Sequence, residues 1–135
     1  MTRRLVLMLS TVALVLGLGA PVAAAAPSSV QADVRPVADL LDGGLAVRIY
    51  IKASCPEGYQ VLEALAYVVQ DGMTSSMRGF TIPCDGRKHN LTVEVISFDA
   101  PFTRGKAFVT SFLLVIDAAG QETISGGERR QVDLR

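Results

Sequence analysis

The chain has 135 residues, half of them hydrophobic and only 19% charged, with 13 basic and 13 acidic side chains. That length holds one domain, and that composition excludes a disordered chain. With Arg3 and Arg4 set aside, 11 basic residues face 13 acidic ones. The resulting net charge of −2 offers no attraction to a polyanion, so nucleic acid and anionic lipid are excluded as expected partners.

Met1-Thr2-Arg3-Arg4 is a positive start, Leu5 to Leu18 is apolar with few breaks, and Pro21 to Ala26 is rich in small residues. That order of charge, apolar run and small-residue site is the grammar of a secretory signal peptide. Residues 1–25 are therefore expected to be a helical signal, with cleavage between Ala25 and Ala26. An uncleaved anchor is the competing reading, because residues 5–26 would span about 33 Å as a helix. Their last third is Ala, Gly and Pro, which argues against it. A lipoprotein would need a cysteine at the cleavage site, and the first is Cys55. The Arg pair also hints at twin-arginine export, but ordinary export suits so apolar a run better. The mature chain is then expected outside the cell, with no membrane attachment after cleavage.

Residues 26–39 read as a lead-in, and 40–135 as the folded domain. Leu45, Val47, Ile49, Ile51 and Ala53 alternate with Arg48, Tyr50 and Lys52, the period of a strand with one buried face. The same parity carries Cys55 inward and leaves Tyr50 outward, a candidate interface anchor. Tyr59, Met73 and Met77 are further surface candidates.

Gln60 to Gln70 fits a helical stripe as well as a strand, but the short span between Gly58 and Asp71-Gly72 favours strand. Met73 to Ile82 is a weaker strand pattern, and Leu91 to Ser97 a good one. Lys106 to Ile116 is apolar on both parities and is expected to be central. Val132 and Leu134 mark a last strand.

Asp42-Gly43, Asp71-Gly72 and Asp85-Gly86 are the chemistry of tight turns, where positive φ is needed. Six or seven strands with such turns predict an all-β domain, an antiparallel immunoglobulin-like β-sandwich.

Cys55 and Cys84 are the only cysteines, 29 residues apart. In an exported chain an even pair is expected to form one disulfide. There is no C-x-x-C, and the one histidine, His89, cannot complete a four-ligand metal site alone. No metal and no cofactor is expected.

Cys55-Pro56-Glu57-Gly58, Pro83-Cys84-Asp85-Gly86 followed by His89, and Pro101 to Val109 together resemble a family of small secreted actinobacterial proteins of unknown function. The likeness covers roughly residues 40–116. It implies an immunoglobulin-like fold and export, and it implies no activity and no site residues.

Nucleophilic catalysis needs a Ser, Thr or Cys beside a positioned base. His89 stands in a turn with Asp85 and Asn90, a G-x-S-x-G elbow is absent, and a cysteine in a disulfide is no nucleophile. No pair of carboxylates and no phosphate-cradling loop stands out. Asn90-Leu91-Thr92 has the form of a glycosylation sequon but begins a strand. No catalytic residue is therefore assigned. The expectation is a non-enzymatic exported module that binds a protein or a cell-envelope component. The alternatives are a secreted protease inhibitor and a carrier of a small apolar ligand.

Overall fold

The computed structural model describes residues 29–135. The expected signal peptide and its cleavage site at Ala25 and Ala26 lie outside the described residues. Eight strands follow in order: β1 (Gln31–Leu41), β2 (Ala46–Ser54), β3 (Gln60–Gln70), β4 (Met73–Thr74), β5 (Arg78–Gly79), β6 (Lys88–Ile96), β7 (Gly105–Ile116) and β8 (Glu122–Leu134). A single 3-10 turn at Asp42–Gly44 joins β1 to β2.

The alternation sets β2 from Val47 onward, whereas Leu45, expected on the buried side, precedes the strand and is 53% exposed. Val47, Ile49, Ile51, Ala53 and Cys55 are all buried, and each large aliphatic among them contributes about 1.5–3 kcal/mol by leaving water. The segment from Gln60 to Gln70 is a strand, and Asp71-Gly72 turns it directly into β4. Both turn residues have positive φ, 49° and 79°, with Gln70 paired to Met73 across them. This is the two-residue hairpin that the dipeptide predicts. Asp85-Gly86 does not make a hairpin: it lies in the connection from β5 to β6, where the Gly86 N–H donates to the Cys55 carbonyl at 2.9 Å.

Three expectations need correction. The sheet begins inside the segment read as a lead-in, because β1 occupies Gln31–Leu41. There are eight strands rather than six or seven, since the weak 73–82 segment breaks into β4 and β5, each two residues long. The sheet is also mixed rather than purely antiparallel. Its order is β4-β3-β7-β8-β1-β2-β6, with β5 on β3, and β1 runs parallel to β8 through Val37↔Asp133 and Ala38↔Leu134.

The cause of the mixed pairing is a break in β1. Val34 pairs with Ile51, but the next partner pair is Ala38 with Ile49, so Arg35, Pro36 and Val37 stand opposite Tyr50 alone. Proline has no N–H to give a ladder, and an inserted stretch bends the strand. From Val37, the last residue of this bulge, β1 also pairs with β8.

The strands therefore form one continuous sheet that curls into a half-barrel. Its two ends meet where Ser75 bridges Ser97 and the Ser76 N–H donates to the Ile96 carbonyl at 2.7 Å. Phe102 closes the curl from the connection before β7 and is 2% exposed. Gln70 holds that connection in place although it is buried. Its Nε2 donates to the carbonyls of Thr103 (2.8 Å) and Lys106 (3.2 Å), and its Oε1 accepts the Thr103 N–H at 2.9 Å. A buried amide so fully partnered orders a loop at little desolvation cost.

The expected disulfide is present between Cys55 and Cys84. It ties the end of β2 to the connection entering β6.

Candidate binding face

β7 lies between β3 and β8, central as its composition suggested, yet its outer side is not covered. Its inward residues Ala107, Val109, Leu113 and Val115 are in the core. Its outward residues Phe108 and Phe112 remain 38% and 37% exposed. Cross-strand pairing sets Leu65 of β3 beside Phe112, Val69 beside Phe108, and Ile124 of β8 beside Leu114. The Tyr67 and Phe112 rings lie 6.2 Å apart with planes 17° from parallel. That separation and near-parallel arrangement lie within the range of favourable offset aromatic pairs.

Met77 and Phe98 extend this surface from the neighbouring connections, 60% and 70% exposed, and Ile124 is 80% exposed. Tyr67, Val69, Met77, Phe98 and Phe112 wall an open hollow of about 600 Å³ with Thr74 and Ser75. No charged side chain lines it. The Arg129 guanidinium sits 4.6 Å from the centre of the Phe108 ring, a cation–π contact at the border of the face.

Of the surface candidates read from the sequence, Met77 belongs to this face. Met73 and Tyr59 are half-buried against the core. Leu65, Tyr67, Phe98, Phe108, Phe112 and Ile124 were not singled out. The two-parity apolar run of β7 was the available signal, but it reads equally as burial on both sides.

Tyr50 lies elsewhere, on the outer side of β2. It points away from the core as expected, but it is half-buried and its hydroxyl donates to Asp39 Oδ2 at 2.6 Å. Arg135 Nε approaches Asp39 Oδ1 at 3.5 Å, and Arg48 pairs with Glu94 at 2.7 Å nearby. The Tyr50 hydrogen bond, and after it Arg135, hold the Asp39 carboxyl below the ordinary aspartate value against a desolvation effect that raises it. A depressed carboxyl favours the fold at neutral pH, and that contribution is lost as pH falls through the depressed value, below the ordinary aspartate range. In Tyr50→Phe the Asp39 carboxyl should titrate closer to the ordinary aspartate value. A carboxyl-detected NMR titration reads this directly, and an unchanged midpoint would refute the role given to the hydroxyl.

His89 Nε2 lies 2.9 and 3.0 Å from the two Asp85 oxygens. This bond, then the Arg87 backbone N–H, lowers the Asp85 carboxyl. The pair has the orientation of a base and its orienter, but Cys84 beside it is held in the disulfide and supplies no thiolate. Asn90 of the sequon is exposed within β6. Among the described residues no cluster of three metal-ligating side chains occurs, and no helix is long and apolar enough to cross a membrane.

A second hollow, about 320 Å³, opens where β1 and β8 diverge, and the Arg130–Asp33 ion pair at 3.7 Å spans it. The chain matches no known protein family, no curated protein and no solved structure.

Proposed function

We propose that this chain is an exported, non-enzymatic binding module of immunoglobulin-like type, working through the outer face of β3, β7 and β8. The observation that carries the reading is the largely apolar surface from Met77 and Phe98 across Tyr67 and Phe112 to Ile124, with Glu63 the charged side chain at its Ile124 end. Soluble chains seldom leave such a surface bare unless something docks on it. Large aromatic side chains are also the composition of interface centres.

The finer fold assignment rests on strand order. β1, β2 and β6 follow one another as strands A, B and E do, and β3, β7 and β8 as C, F and G. Export is supported by the N-terminal signal grammar and by the disulfide, which persists in oxidising compartments. The resemblance to small secreted actinobacterial proteins points the same way.

A photo-reactive phenylalanine analogue placed at Phe112 in the producing cell tests the reading. The expected result is a discrete adduct from Phe112 and none from the same probe at Lys52, an exposed residue of β2. No adduct at either site would overturn the binding assignment. The partner is expected to be a protein or a cell-envelope component.

A further inference from the structure

We infer that the occupant of this apolar face is a second copy of the same chain, stacked face to face by a two-fold axis. The inference rests on the binding-face reading above and names its partner. Two observations carry it: the area of the face and the placement of its unshared charges.

The exposed shares of Phe98, Phe108 and Phe112 are 70%, 38% and 37%. They leave roughly 300 Å² of aromatic surface bare. Ile124 and Met77 bring the total to the order of 500 Å², near the upper end of the largest patch expected on a monomer. Two such faces stacked would bury about 1,000 Å² of apolar surface before any polar rim is counted, the threshold that a specific interface has to clear. Sheets stack face to face about 10 Å apart.

The two charges of β8 that flank the face, Arg129 and Glu122, fit one arrangement. Register places Arg129 beside Thr110 and Glu122 beside Ile116 on β8, so they stand equally far on either side of Leu113. Lys106 is already engaged by Asp133 at 2.5 Å, whereas among the described residues Arg129 and Glu122 make no ion pair. A two-fold axis lying in the plane of the face and crossing β7 at Leu113 runs the two copies of β7 antiparallel. It sets Phe112 against Leu114 of the second copy and Arg129 over Glu122 of the second copy. The symmetry makes each such contact twice, as an isologous interface requires.

Sedimentation equilibrium of the purified protein tests this, with the Phe112 photo-probe as the companion measurement. The expected result is a dimer at about 50 µM and an adduct of twice the chain mass. Arg129→Glu and Glu122→Arg should each weaken dimerisation about tenfold, and the double exchange should restore it. Both side chains are exposed, and unchanged thermal unfolding of the variants at low protein concentration would show that folding is not at issue. A monomer with a heavier, foreign adduct at Phe112 would overturn the self-association while leaving the binding-face reading intact. A monomer with no adduct would overturn both. A dimer indifferent to the charge exchange would overturn the antiparallel geometry inferred here.

Discussion

Gly44→Ala is expected to destabilise the fold by about 3–5 kcal/mol, although it adds only one methyl group. Gly44 ends the 3-10 turn with φ at +92°, and its carbonyl accepts the Phe102 N–H at 2.8 Å. A Cβ built there would lie 2.0 Å from the Phe102 carbonyl oxygen and 3.0 Å from its carbon. Neither is the end of a flexible side chain, so the backbone entering β7 must retreat. Retreat withdraws Phe102, the largest fully buried side chain in the core. The loss should therefore approach that of truncating a buried phenylalanine.

Gly43→Ala is the internal control. Gly43 also has positive φ, +66°, but nothing lies within 4 Å of its Cβ position. It should cost only the left-handed penalty, about 1–2 kcal/mol. Urea unfolding of both variants measures the difference. Equal midpoints would show that the close approach to Phe102 is not what demands glycine at position 44.

Removing the disulfide should have an effect of similar size by a different route. Cys55 and Cys84 close a loop of 29 residues that contains β3, β4 and β5. Closing a loop of this length restricts the unfolded chain by about 3–4 kcal/mol on the loop-entropy argument. The double variant Cys55→Ala/Cys84→Ala should accordingly melt roughly 15–25 °C lower in a domain of this size. A phosphine reductant should lower the melting temperature of the native protein by a like amount and leave the double variant unmoved. A native melting curve indifferent to reductant would contradict the staple.

The parts of the fold that were legible in the sequence are those set by local chemistry. Residues 47–53 alternate because one side of β2 is buried and the other at least partly exposed. Asp71-Gly72 specifies its own turn, since both residues tolerate positive φ. The cysteine pair was legible from an even count in a chain expected to be exported. β1 was illegible for an equally local reason. Its inward residues Ala32, Val34, Ala38 and Leu40 share one parity, but two are alanines and the exposed Pro36 stands between them, so the apolar stripe is weak and broken. The first half of β8 has Ile124 as its one large apolar residue, and that residue faces outward, so no buried stripe announces it.

The candidate face shows the same division. An apolar run on both parities of β7 says that the strand is central, and it is. Whether a second layer covers its outer side depends on which other strands exist and where they lie, which no window of sequence contains. Tyr50 could be placed on the outer side of β2 by parity, but its partner Asp39 arrives from a strand that was read as a lead-in.

By itself the sequence determined the all-β class, the register of β2, the β3–β4 hairpin and the disulfide pair, because alternation, turn dihedrals and cysteine count act over short spans or by simple arithmetic. The tertiary structure alone decided the parallel seam between β1 and β8, the curl that closes Ser75 on Ser97, and the side of β7 left bare. These follow from pairings between residues up to 96 positions apart, such as Val37 with Asp133, and long-range pairing is settled by the packing of the whole chain.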